Sequence, residues 1–169
     1  MNKRPGVTAF LAVLLVAALA FTTTLAIIET HRAHQAKSTA NTRSDVAKAA
    51  AALATLLFTY DYHDLAKTQQ QLEALSAGGF AQRESSQSDA VQEQLRKAQA
   101  VGSANVKEVT VSDASGSRAT AFVIVATHVT STQGKADGIA YLHLDLQLVG
   151  KFWKVDDVQN LNPSAQPSS

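Results

Sequence analysis

The pattern of hydrophobic positions changes character three times along the chain. Gly6 to Ile28 (GVTAFLAVLLVAALAFTTTLAII) is an unbroken apolar run of about 23 residues without a charge, enough to cross a hydrocarbon core of roughly 30 Å. From Arg43 to about Val101 the apolar residues recur every three or four positions, which is a helical period. From Val106 onward they recur every second position, the period of a strand with one buried face. The order predicted is therefore one membrane span, then helices, then strands.

Within the helical region, Val46, Ala50, Leu53, Leu57 and Tyr60 form one face of a helix from about Arg43 to Tyr60. Thr42 followed three residues later by Asp45 resembles a capping box at its start. A second helix is predicted from Asp64 to Ser76, with Leu65, Leu72 and Leu75 inward and Gly78-Gly79 as its left-handed stop. Phe80 opens a third element, and a helix from about Ser88 to Val101 presents Val91, Leu95 and Ala98 on one side, with Gly102 closing it.

The strands follow as a meander. Val106–Ser112 turns Val109 and Val111 inward, and Asp113–Ser117 is a turn cluster. Thr120–Thr130 is apolar and β-branched on both faces, which predicts a central strand covered on both sides. Ser131–Gly138 reads as a polar loop. In Ala140–Val149, Leu142, Leu144, Leu146 and Leu148 face one way, and Tyr141, His143, Asp145 and Gln147 the other. Gly150-Lys151 fits a two-residue hairpin turn, and Phe152–Val158 returns. Three helices packed on a four-stranded antiparallel sheet, behind an N-terminal transmembrane helix, make an α+β architecture. The divisions are a cytoplasmic N-terminus at 1–5, the span at 6–28, a linker or stalk at 29–44, the α+β domain at 45–161 and a polar tail at 162–169.

The span is longer than the 7–15-residue core usual in a cleaved signal peptide, and Thr24-Leu25-Ala26 is a poor cleavage site, so a retained anchor is expected. Lys3 and Arg4 precede it and place the N-terminus in the cytoplasm by the positive-inside rule. The α+β domain then lies outside the cytoplasmic membrane. Small residues in the span (Ala17, Ala18, Ala20) permit close helix contacts.

Charge adds mainly exclusions. The formal net charge is +1 and the chain contains no basic run of the kind nucleic-acid binding needs. It contains no cysteine, so neither disulfides nor thiol chemistry is available. His31, His34, His63, His128 and His143 lack the companions that complete a metal site, and no cofactor is implied.

The candidate partner interface is the polar side of the last hairpin: Tyr141, His143, Gln147, Phe152, Lys154 and Asp156. A two-residue turn pairs Trp153 with Leu148 on the leucine face, where Trp153 serves as a core anchor. The same register sets Asp145 opposite Asp156, with Lys154 diagonal to Asp145; facing carboxylates raise one pKa unless a cation intervenes. Asp61, His63 and Asp64 sit at a helix junction, where capping and the helix dipole account for them.

Several segments together resemble the Mce-associated membrane proteins of actinobacteria. They are Tyr60-Asp61-Tyr62 before the second helix, Gly79-Phe80, the strand pair VTVSDASGSRATAFVIVATHVT, and Gly150-Lys151-Phe152-Trp153-Lys154-Val155-Asp156-Asp157. The resemblance covers most of Val46 to Leu161. It implies a cone-shaped outer domain similar to cystatin and nuclear-transport-factor-two folds, and to the outer domains of type IV secretion scaffold proteins. It implies a noncatalytic single-pass accessory subunit that supports a Mce lipid-import complex, with the bilayer and Mce transporter subunits as partners. Two alternatives share the fold. One is a cavity-type small-molecule binder or enzyme, which needs residues such as Tyr60, Tyr62 and His128 to converge. The other is a scaffold subunit of a secretion or conjugation channel.

Overall fold

The computed structural model describes residues 38–162. The predicted N-terminus at 1–5, the span at 6–28, the linker as far as residue 37 and the tail from residue 163 lie outside the described residues. Among the described residues no helix is long and apolar enough to cross a membrane. A compact unit begins at Thr42.

The elements in order are helix α1 (38–58), strand β1 (Tyr60–Asp61), helices α2 (Leu65–Leu75) and α3 (Gly78–Ala98), and strands β2 (Val101–Ser115), β3 (Arg118–Ser131), β4 (Gly134–Val149) and β5 (Phe152–Asn160). They build one five-stranded antiparallel sheet in the order β1-β2-β3-β4-β5. The four-stranded expectation missed β1. Tyr60 and Asp61 end the period of α1 by pairing with Gly102 and Val101. That pairing is tight, because a β-carbon on Gly102 would sit 2.6 Å from Tyr60 Cζ and 2.7 Å from the Phe58 carbonyl oxygen. Gly102 therefore lies within the sheet, and does not close a helix as its sequence context suggested.

The core lies between the helices and one face of the sheet. Val46, Ala50, Leu53 and Ala54 of α1 are fully buried against Ala121, Val123 and Val125 of β3 and Leu142, Leu144 and Leu146 of β4. Trp153 and Val155 of β5, Leu72 of α2 and Phe80 of α3 complete the cluster. The alternation predicted for β4 is observed, and Leu148 pairs with Trp153 as expected. Alanines of α1 and β3 (Ala50, Ala54, Ala119 and Ala121) sit in this cluster, and their small side chains permit close approach of helix and sheet.

Helix boundaries differ from expectation for local reasons. The first helix is already formed at Ser38, so Thr42 lies inside it and is not its cap. Gly78-Gly79 does not stop α2. That helix ends at Ser76 in extended conformation, and Ala77 N–H donates to the Val155 carbonyl at 2.8 Å. Gly78, at φ +48°, instead opens α3, which runs 21 residues and takes in the stretch expected to precede a shorter helix. A side chain there is blocked, because Asp156 Oδ1 lies 1.5 Å from where its β-carbon would be.

The strands are longer than their apolar cores. The predicted polar loop 131–138 is mostly strand, since β3 and β4 pair down to Ser131 and Gly134. β2 carries two irregularities, at Val106/Glu108 and Val111/Asp113. β4 and β5 carry another between Asp145 and Leu146, where Asp157 pairs with Asp145 and Asp156 becomes the extra residue. Beyond β5, Asn162 takes a strand's place beside β4: its Nδ2 donates to the Ile139 carbonyl at 2.7 Å and its Oδ1 accepts from Tyr141 N–H at 2.8 Å.

Two substitutions test this packing in urea unfolding. Leu144→Ala is expected to cost about 2–5 kcal/mol, because its site is fully enclosed. Gly102→Ala is expected to cost roughly 1–3 kcal/mol through overpacking against Tyr60 and Phe58.

Candidate docking surfaces

The three helices cover only one side of the sheet, so the other side presents the alternate residues of every strand. At its centre, β3 contributes Phe122, Ile124 and Ala126, paired with His143, Tyr141 and Ile139 of β4. Phe122 and Tyr141 are 41% and 44% exposed and Ile139 is 52% exposed, although they sit on central strands. The Phe122 and His143 rings lie 4.9 Å apart at 48°. The expectation that β3 is covered on both faces is therefore corrected: only Ala119, Ala121, Val123 and Val125 are covered. An apolar run on a strand reports that both faces are hydrophobic, not that both are occupied.

The predicted interface residues separate into three places. Tyr141, His143 and Gln147 lie on the open face, with Lys154 paired to Gln147 at its hairpin end. Phe152 stands at the hairpin tip, 73% exposed. Asp156 leaves the face altogether, because the bulge turns it toward Gly78 at the start of α3. Its place opposite Asp145 is taken by Asp157.

The two carboxylates that face each other have separate partners. Thr120 Oγ1 donates to Asp145 Oδ1 at 3.2 Å. Gln159 Nε2 donates to Asp157 Oδ2 at 3.1 Å, and Arg83 of α3 forms an ion pair with Asp157. The Gln159 hydrogen bond first, and then Arg83, hold the Asp157 carboxyl below its ordinary range. The cation expected here was Lys154. Arg83 escaped notice because its helix was expected to begin five residues later, at Ser88.

Among the described residues, two histidine–carboxylate pairs lie on the surface. Asp61 accepts from the His63 backbone N–H at 2.9 Å and meets His63 Nδ1 at 2.7 Å; the backbone bond is the main reason its pKa is lowered. This is a local turn closing the β1–α2 junction. His128 Nδ1 meets Asp137 Oδ1 at 2.5 Å across β3 and β4, with Ser103 on the far side of His128 in the sheet. The row Ser103, His128, Asp137 has the residue types of a nucleophilic triad. The hydroxyl that meets His128 Nε2, however, is Thr130 Oγ1 at 3.5 Å, and both members of the pair are exposed.

A cavity of about 170 Å³ lies among the helices, lined by Leu56, Tyr60, Leu65, Leu72, Glu84 and Leu95, with other side chains of α2 and α3. It is smaller than the roughly 300–1,000 Å³ usual for ligand pockets. Burial raises the Tyr60 hydroxyl, and burial, opposed by Arg83, raises Glu84. Tyr62 stacks on exposed His63 with ring centroids 3.8 Å apart, and His128 lies on the open sheet face. Tyr60, Tyr62 and His128 do not converge. Among the described residues no cluster of His, Asp or Glu is arranged to hold a metal ion.

This architecture has counterparts of known structure. An IcmL-like type IV secretion system protein from Legionella pneumophila matches with a TM-score of 0.59 at 15% identity, over 73% of this chain and 96% of its own. The periplasmic domain of DotI matches with a TM-score of 0.55 at 13% identity, over 69% of this chain and 93% of its own. No protein-family model and no curated protein matches the chain. At these identities the likeness is one of fold. It bears out the similarity to type IV secretion outer domains, and no match singles out the Mce-associated family.

Asp157 and Glu84 have opposite signatures in thermal melts run from acid to neutral pH. Asp157, lowered when folded, contributes stability present above the unfolded carboxylate pKa and lost as pH falls through the folded value. Asp157→Asn should flatten the acid side of the stability profile. Glu84, raised when folded, favours the native state only while protonated, and that contribution is lost as pH rises through its raised pKa. Glu84→Gln should therefore raise Tm at neutral pH and leave it unchanged in acid.

Proposed function

We propose that this chain is a noncatalytic, single-pass membrane subunit whose α+β domain stands outside the cytoplasmic membrane and docks a protein partner of an envelope transport complex. The observation that carries this is the uncovered apolar centre of the sheet, formed by Phe122, Ile124, Ile139 and Tyr141. Aromatic and aliphatic side chains in the middle of a sheet, rimmed by Glu108, Thr110, Asp145 and Gln159, are the composition of a buried interface core with a polar rim. The apolar run at 6–28 supplies the anchor, with Lys3 and Arg4 on the cytoplasmic side.

The fold likeness to the IcmL-like protein and to DotI favours a scaffold subunit of a secretion or conjugation channel as the specific role. Support for a Mce lipid-import complex rests on the segment Gly150 to Asp157 and the other sequence marks of that family. Both readings use the same anchor and the same docking face and differ in the partner.

The test is purification of the tagged full-length chain from its native membranes in mild detergent, followed by mass spectrometry. Secretion-channel components among the enriched proteins support the scaffold role, and Mce or permease subunits support the import role. Phe122→Asp, made at an exposed position, is expected to leave Tm nearly unchanged and to lower partner recovery by tenfold or more, about 1.4 kcal/mol or greater. Undiminished recovery with this variant overturns the docking face.

A further inference from the structure

The most exposed large apolar side chain among the described residues is not on the sheet face. It is Phe152, at the tip of the β4–β5 hairpin, and Leu148 and Val149 on the same tip are also exposed. Beside it opens a groove of about 590 Å³ between the hairpin, α2 and the middle turns of α1. Ala49, Ala74, Leu75 and Trp153 give the groove an apolar floor. Lys48, Lys151 and Lys154 stand around it against the single carboxylate of Asp45, which pairs with Lys48 at 3.4 Å.

From this arrangement we infer that the β4–β5 hairpin is a membrane-contact element: Phe152 enters the headgroup region of the bilayer while Lys151 and Lys154 engage anionic lipid headgroups. The inference rests on the anchored reading above and adds a second, lipid-facing surface to the protein-docking face.

Three features favour lipid over a protein occupant. The first is charge: the residues around the tip are predominantly basic, and lysine is depleted in protein–protein interface cores, whereas anionic headgroups attract it. The second is the form of the side chains. A phenylalanine between lysines sets an apolar group to enter the interface and long stems that keep their charges at the headgroups. The third is the tether. The groove uses Asp45 and Lys48, just after the unit begins at Thr42, and the apolar run ends at Ile28. Even fully extended, the segment between Ile28 and Thr42 reaches at most about 50 Å, so the unit stays within that distance of the end of the run.

The chain has no cysteine, so single-site labelling is clean. Full-length protein carrying Phe152→Cys would be labelled with an environment-sensitive fluorophore and reconstituted into vesicles of phosphatidylcholine, alone or mixed equally with phosphatidylglycerol. Gln133→Cys, at the turn on the opposite end of β4, is the control. Flotation of the vesicles reports anchoring in the same sample, and lipid-attached quenchers report contact at each label. The expected result is flotation in all cases, strong quenching at position 152 in phosphatidylglycerol vesicles, and little at position 133. Each of Lys151→Gln and Lys154→Gln should shift the docked-to-free ratio of the hairpin by roughly fivefold, with a similar loss on adding salt. Flotation with equal quenching at 152 and 133 overturns the contact while leaving the anchor standing. Failure to float overturns the anchored reading and the inference with it.

Discussion

Everything in this unit depends on how α1 seals the inner face of the sheet. Val46, Ala50, Leu53 and Ala54 meet β3 and β4 along a seam in which half of the α1 residues and two of the β3 residues are alanine. Small side chains let the helix lie close, and the leucines of β4 fill what remains. With α1 so placed, α2 and α3 complete the cover along β5, where Leu72, Phe80 and Trp153 meet. All three helices are committed to one side, and the sheet's other face is left to solvent or to a partner.

That asymmetry explains which parts of the structure were legible in the sequence. The leucines of β4 and the Trp153–Leu148 pair followed from period-2 alternation and a two-residue turn, because both are local. β1 was not legible. Two residues carry no period, and Tyr60 looks like one more apolar position of α1; only the distant Gly102 makes it a strand. The bulge at Asp156 was hidden for a similar reason. It arises where Gly78, nearly eighty residues away in sequence, brings the start of α3 against β5.

The candidate site was legible in part. Tyr141 and His143 were named from their side of the strand. Phe122 and Ile124 were not, since an apolar residue on a central strand gives no sign of whether anything lies over it. The titratable groups show the complementary limit. His128 with Asp137, and Arg83 with Asp157, are pairings across elements that spacing along the chain does not reveal, and their exposure keeps them modest in energy.

The edges of the sheet carry a consequence for assembly. On one side β1 covers only the start of β2, and the rest of β2 is broken by two bulges. On the other side the edge strand β5 bulges at Asp156 and is met at Val155 by Ser76 and Ala77, and beyond its end Asn162 occupies the backbone groups of Ile139 and Tyr141 with its own amide. Neither flank offers a long, straight row of free backbone donors and acceptors for an incoming strand. Copies of this unit are thereby discouraged from polymerising edge to edge, and self-association is left to contacts made by faces.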